Sequence, residues 1–403
     1  QWMTLVVSPL SAIKVTVVAF AGAGFAGMWL LLRHSFGLAG PLALTGAVMF
    51  LWNGLYVHRM IVGHLTFHAF MLLPLQALLL AVLTDPRTSR WRASLALAAL
   101  AATGAYQFMS GMVHLAGPVA LALVGMGALY CRDRPRWLLR WLLWGGAGAV
   151  LALLLVAAPL AATLAFLGNF KRDLYTLPGF VDPLAQLTTA GAAVFARADS
   201  LQVAELLSNR TLPIEAQELE YGLTPLPLLM IAVGLAAGGV PALRKRWVPG
   251  LVLLLVALVP LALNTYQPVW TAWLESAPLF GSSSSLLRWY AVWLPLLILI
   301  AVMMFAKLPR VSHSATPLAA TLFIMLFQTQ TEPLTYSTQR FNPDSVQRAW
   351  VATTAPRITE VHASRDLTVG ASQVYCRDDF FGYRMETFPF RQMWEGAPDV
   401  LRE

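Results

Sequence analysis

Runs of about 20 mainly apolar residues recur along this chain, and no other feature limits its fold as strongly. Inside hydrocarbon a backbone finds no water, so each such run must close its hydrogen bonds within itself as a helix. The runs lie near residues 12–32, 39–57, 62–84, 93–110, 115–130, 137–167, 223–242, 248–265, 286–306 and 316–332. Their apolar residues are continuous rather than striped at a period of 2 or 3.6, which predicts an all-α integral membrane protein with about ten transmembrane helices. Composition agrees, with 58% of residues hydrophobic, 12% charged and a mean hydropathy of +0.63. The fifth and tenth runs are short, and the sixth is long enough for a tilted helix to extend past the bilayer.

Charge orients these spans. Lys and Arg concentrate in short cytoplasmic loops because carrying them across during insertion is costly. Alternate connections hold Arg33; Arg87, Arg90 and Arg92; Arg132, Arg134, Arg136 and Arg140; Arg244, Lys245 and Arg246; and Lys307 and Arg310, whereas the short opposite connections hold only Arg59. This places the N-terminus, residues 169–222, residues 266–285 and the tail from about 334 on the extracytoplasmic side. An outside N-terminus that begins at Gln1, without a basic n-region, implies upstream sequence: a cleaved signal peptide, or a further span with its outside loop.

On this topology residues 1–168 form a six-span membrane half, and residues 169–222 an extracytoplasmic loop whose "SLQVAELLSNRTLP" reads as a short amphipathic helix. Residues 223–333 form a four-span half, and residues 334–403, rich in charges, aromatics and turn residues, a small extracytoplasmic α+β segment. Cys131 and Cys376 fall on opposite sides and form no disulfide with each other. Nearly half of the 28 basic residues are consumed by the topology signal, so no basic stripe is left for nucleic acid. Gly-rich phosphate loops, Ser-His-Asp signatures and HExxH motifs are absent, and the Asn209–Thr211 sequon has meaning only in a glycosylating pathway.

Ionisable groups within spans are expensive and mark functional sites by default. Those of this chain gather at the outer face: Lys14, His58, Arg59, His64, His68, His114 and Arg288, with Glu218 and Glu220 just before the seventh span. His64 and His68, four apart, share a helical face and pair as metal ligands, a third coming from Glu218, Glu220 or an upstream carboxylate. With His58 and Arg59 across the short connection, the same stretch reads as a substrate or lipid-phosphate site, which Lys14 could share unless it only snorkels to the interface; the bland alternative is an interfacial turn bonded to headgroups or to the long loop. Arg288, in "SSSSLLRWYAVW", stands where a guanidinium grips phosphate bidentately, although an aromatic belt of Trp289 and Tyr290 beside a snorkelling Arg has the same appearance. Glu218, Glu220 and Tyr221 read either as a carboxylate site for a sugar or cation, or as a solvated loop end. Tyr106 and Gln107 read as bonds between helices. No internal repeat points to paired transporter halves, which leaves transport as the third reading.

The stretches "GMWLLLR", "HRMIVGHLTFHAFMLLPL", "ELEYGLTPLPLL" and "PLFGSSSSLLRWYAVWLPLLIL" resemble the GT-C superfamily of multi-pass membrane glycosyltransferases, in particular bacterial YfhO-like members. The resemblance implies a bacterial inner membrane and transfer of a sugar from a polyprenyl-phosphate donor at its outer face, with an Asp or Glu base in the first outside loop. In this chain that loop would lie upstream of Gln1. It further implies that Gly63 and His64 open a family span, that Arg288 binds donor phosphate with Lys14 assisting, and that a divalent metal or these cations stabilise the leaving phosphate. The chain departs from the family where "SSSS" replaces a second Arg. The alternative is a catalytically inactive accessory or structural subunit, its body bound to membrane lipids and to protein partners in a larger complex.

Overall fold

The computed structural model describes residues 9–61, 63–167, 177, 179–195, 218–238, 247–277, 280, 283, 285–308 and 313–329. Among these the regular structure is helical, with a single isolated bridge pairing Phe180 and Thr265. The chain divides into two compact units, one of Gln1–Ala158 with Thr176–Glu332 and one of Pro159–Tyr175 with Pro333–Glu403. The amphipathic helix and the α+β tail expected from sequence fall outside the described residues. Of the second unit only the helix that ends at Leu167 is described, and the account below concerns the first.

Its helices are α1 (Pro9–Leu30), continued by a π turn over Leu31–Ser35, α2 (Gly40–Leu51), α3 (Gly54–Ile61), α4 (Leu73–Thr84), α5 (Arg90–Met109), α6 (Ala116–Tyr130) and α7 (Arg136–Leu155). After α8 (Ala157–Leu167) come α9 (Pro183–Phe195), α10 (Leu226–Gly238), α11 (Trp247–Leu263), α12 (Pro268–Ser276), α13 (Trp293–Phe305) and α14 (Thr316–Thr329). Each of the ten apolar runs contains helix among its described residues. Five helical stretches are long and apolar enough to cross a membrane: Ser11–Ser35, Leu65–Thr84, Met112–Tyr130, Arg136–Leu155 and Leu286–Phe305. The pair α2 and α3, bent by 41°, makes a sixth if counted as one span, while α10 and α11 are shorter apolar helices. This set fits an integral membrane protein. The long sixth run divides at Val156 into α7 and α8.

Helices α1, α2 and α4 pack together, α5 lies against α4 and α7, α6 against α11, and α13 against α2, α6 and α10. The core between them is fully buried at Ala43, Ala47, Phe50, Met71, Leu294 and Val302. One end of the bundle gathers the arginine-rich connections, where Phe36 meets Tyr130 at 6.0 Å between ring centroids and Arg132 Nη1 reaches Met303 Sδ at 3.5 Å. Cys131 is buried there, and burial pushes its thiol up to about 12, so it stays an unreactive thiol.

The opposite end is built differently. Three spans begin there with 3₁₀ turns, Leu65–Leu72, Met112–Leu115 and Leu286–Val292, each running into an α-helix with a proline in its first turn: Pro74, Pro118 and Pro295. Proline has no N–H to offer the carbonyl four residues back and its ring crowds that carbonyl. At Pro74 the consequence is visible, because the Phe70 carbonyl instead accepts from Leu73 N–H, three residues on, which is the 3₁₀ pattern.

The bend between α2 and α3 has its own cause. Asn53, fully buried, caps α3: its Oδ1 accepts from Tyr56 N–H at 3.0 Å and its Nδ2 donates back to the Phe50 carbonyl. Replacing it leaves one helix end uncapped in the core. Asn53→Ala is expected to destabilise the detergent-solubilised protein by roughly 1–2 kcal/mol, read from thermal unfolding; an unchanged melting point would show that the cap does not fix the bend.

Candidate functional site: a carboxylate between two arginines

At the end with the 3₁₀ turns, the segment 218–225 ("ELEYGLTP") crosses the bundle as a buried strap rather than as the solvated loop end that sequence also allowed. It holds the start of one helix and the end of another. Gly54 N–H, an orphan donor at the first turn of α3, donates to the carbonyls of Tyr221 and Gly222 at 3.1 and 3.0 Å. Tyr221 and Leu223 donate their N–H groups to the Ala193 and Val194 carbonyls in the last turn of α9, at 3.2 and 2.6 Å. The Tyr221 hydroxyl donates to the Leu287 carbonyl at 2.7 Å. Burial pushes that phenol well above its ordinary range, so it remains a neutral donor. Thr224, fully buried ahead of Pro225, has φ of 65°, a left-handed conformation that a β-branched residue adopts only when its surroundings impose it.

The strap delivers Glu218 to two guanidinium groups. Arg288 grips it as a fork, Nε lying 3.2 and 3.1 Å from the two carboxylate oxygens and Nη2 2.7 Å from Oε1. Arg59 Nη2 approaches Oε2 at 3.0 Å. The side chains of Arg59 and Glu218 are 1% and 6% exposed, whereas that of Arg288 is 17% exposed and so remains reachable. Burial alone would raise the Glu218 carboxyl, but the charges of Arg59 and Arg288 and their hydrogen bonds outweigh it and hold the group below the usual carboxylate range.

Phe67, on the first 3₁₀ turn, is the ring around which the cations gather. The Arg59 guanidinium carbon lies 4.5 Å and that of Arg288 5.8 Å from its centroid. The rings of His114 and His64 lie 4.8 and 6.2 Å from it. Arg59 Nη1 donates to His64 Nδ1 at 2.9 Å, which assigns the His64 proton to Nε2. Arg59 Nε, His58 Nδ1 and His114 Nε2 are buried and make no hydrogen bond among the described residues.

Arg59, His64, Arg288 and Glu218 thus meet as the sequence grouped them, with His114 beside them. His58 is buried on α3 next to Arg59, and Glu220 is 4% exposed on the strap. Lys14 is exposed on α1, and no hydrogen bond or ion pair described joins it to this set. His68 is elsewhere. Its Nδ1 donates to the Leu65 carbonyl, so Nε2 accepts from the Tyr106 hydroxyl at 2.7 Å, with Phe20 edge-on at 4.5 Å. The expected shared face of His64 and His68 is missing because this stretch is a 3₁₀ helix of roughly three residues per turn, in which positions four apart diverge by about 120°. Among the described residues no group of three His, Cys, Asp or Glu is placed to hold a metal ion. Trp289 packs over Gly117 and Tyr290 is fully buried, so neither forms an exposed aromatic belt.

Two residues of the site drew little weight in sequence. Phe67 looked like any apolar residue, and only its place between His64 and His68 marked it. His114 had a better signal: it shares with Arg288 a position four to seven residues before a proline, the pattern that makes the 3₁₀ turns. No protein-family model, no curated protein and no solved structure matches the chain.

A carboxyl held ionised by its folded surroundings contributes stability that is present above its unfolded pKa and is lost as pH falls through its lower folded value. Wild-type protein is therefore expected to lose stability on acidification through and below the ordinary glutamate range, and Glu218→Gln to show a flatter pH profile from a lower starting stability, measured as melting point against pH. Parallel profiles for the two proteins would contradict the ionised assignment.

Proposed function

We propose that this chain is a glycosyltransferase-like membrane protein in which the Arg59–Glu218–Arg288 site receives the phosphate of a polyprenyl-phosphate-linked sugar at the outer membrane face. The observation that carries the reading is a buried donor beside an anion-gripping fork: Arg59 and Arg288 converge on one carboxylate, and Arg59 Nε makes no hydrogen bond among the described residues. A buried guanidinium N–H without an acceptor is costly unless a ligand supplies one. A phosphate monoester or diester carries the charge and the acceptor oxygens to do so, and the forked geometry of Arg288 suits it. The excess of Lys and Arg in the connections of the other end supports an outer location for this one, within the ten-span topology drawn from sequence.

In this reading Glu218 aligns the two arginines and is not the group that deprotonates an acceptor hydroxyl, because a carboxylate held this low is a weak base. Arg288, the more exposed of the two, meets the incoming phosphate. Arg59 sits beneath it, with His64 fixing its fork from the other side. The second reading is an accessory subunit that keeps the scaffold without the chemistry. The 1% exposure of the Arg59 side chain favours it, since an arginine buried that completely serves equally well to hold the strap against α3.

Binding of polyprenyl phosphate to the purified full chain in nanodiscs separates the two. Arg288→Ala is expected to weaken it about tenfold, the worth of one charge-assisted hydrogen bond, and Arg288→Lys to recover only part because an ammonium loses the fork. Equal binding by wild type and Arg288→Ala, with melting points preserved, would leave the accessory reading.

A further inference from the structure

A groove of about 470 Å³ lies between α4, α5, α6 and α7, away from the charge cluster. Its wall is apolar except for Gln76 and Gln107. It is elongated: on α7 it runs from Trp141 to Val156, a rise of about 22 Å at 1.5 Å per residue. The flank of α7 beside it exposes Leu142, Leu143, Val150 and Leu154, so the groove opens onto the surface that faces lipid in a membrane-embedded bundle.

Two features of the wall lack a structural explanation. The first is a pair of glycines. A Cβ on Gly148 would collide with Leu100 at 2.6 Å, so that glycine is required where α7 meets α5, but a Cβ on Gly145 would meet only Leu80 at 3.9 Å and one on Gly146 nothing within 4 Å. Gly in a helix interior is less stable than Ala by about 1 kcal/mol. At Gly145 and Gly146 close helix packing does not account for the choice, and what their missing side chains leave is room in the groove.

The second feature is a hydrogen-bond relay with one loose end. The Ala69 carbonyl can only accept, so Gln107 turns its Nε2 to it at 3.1 Å and its Oε1 the other way. That Oε1 accepts from Gln76 Nε2 at 2.9 Å, and the same amide reaches Thr103 Oγ1 at 3.5 Å. The relay fixes the orientation of Gln76 and leaves its Oε1 as an acceptor, in a side chain 3% exposed, with no hydrogen bond among the described residues. A buried carbonyl oxygen without a donor is costly in hydrocarbon.

We propose that this groove binds one acyl chain of a bilayer lipid bearing a hydroxyl group, which donates its hydrogen bond to Gln76 Oε1. The apolar wall and the elongated shape suit a single chain, and an acceptor with no donor selects a chain that carries one. Depth narrows the position of the hydroxyl. Gln76 is the twelfth of the twenty residues of the Leu65–Thr84 span, so its Oε1 lies near the middle of that span and away from the headgroups. The chain is therefore hydroxylated well along its length, as in a 12-hydroxyacyl chain. Neither Gln76 nor Gly146 contacts Arg59, Glu218 or Arg288, and the assignment stands whether or not that cluster binds phosphate.

The test uses the full-length protein in detergent, with phosphatidylethanolamine carrying one 12-hydroxystearoyl chain and its plain stearoyl analogue as competing probes, counted by native mass spectrometry. Wild type is expected to retain the hydroxylated lipid about fivefold over the plain one, the discrimination one net hydrogen bond supplies. Gln76→Leu should bring the ratio to about one while still binding lipid. Gly146→Phe should lose both lipids with its melting point unchanged, and Gly146→Ala should keep both. A wild-type ratio of one would overturn the proposal, as would full lipid retention by Gly146→Phe. If Gly146→Phe fails to fold, the ratio change in Gln76→Leu alone decides.

Discussion

One carboxylate held between two guanidinium groups is the constraint on which the site depends. Glu218 arrives on a strap that buries Leu219, Tyr221 and Leu223 in the core, and polar contacts to several elements fix its course. Its backbone closes the first turn of α3 and the last turn of α9, its tyrosine hydroxyl reaches the 3₁₀ turn that carries Arg288, and its carboxylate draws in Arg59 and Arg288. Burying three charges is expensive in a medium of low dielectric, and the set persists because each charge has an opposite neighbour within hydrogen-bond distance. The strained backbone at Thr224 shows how tightly the strap is fitted.

The site also depends on how the spans begin. A regular α-helix from residue 65 would present side chains with a period of 3.6 and place His64 and His68 on one face. Prolines near the start of α4, α6 and α13 leave room for 3₁₀ turns, and these aim Phe67, His114 and Arg288 at one another. The aromatic ring at the centre supplies a surface on which two cations can lie without solvent. Local chain chemistry therefore determines which of the many polar residues at this end become neighbours.

Much of this was legible in the sequence, and the limits have physical reasons. Apolar runs located the long helices of the bundle, because helix is the one solution for an uninterrupted segment in lipid, but not α9 or α12, which lie between runs. Charge bias separated the arginine-rich end from the end with the histidines. Expense of burial pointed to nine ionisable groups at this end, of which Arg59, His64, His114, Glu218 and Arg288 meet, while His68 bonds elsewhere and Lys14 is exposed on α1. Periodicity misled at His68, since the proline that converts the helix to 3₁₀ lies six residues downstream at Pro74. The strap was read as a plausible solvated loop because its partners, at Gly54, Ala193 and Leu287, are far apart in the chain. The Gln76 relay was invisible for the same reason: one amide on α4 is unremarked until Gln107 and Ala69 fix its orientation.

Non-additivity of the three charges tests the central claim most directly. Unfolding of the solubilised protein would be compared for wild type, Glu218→Met, and the triple variant Arg59→Met, Glu218→Met, Arg288→Met. If the carboxylate is what allows two arginines to remain buried, removing it alone should destabilise by about 3–5 kcal/mol, and replacing all three charges with apolar side chains of similar size should recover most of that loss. A triple variant that is less stable than Glu218→Met, with the losses simply summing, would contradict the account and mean that the three side chains act independently.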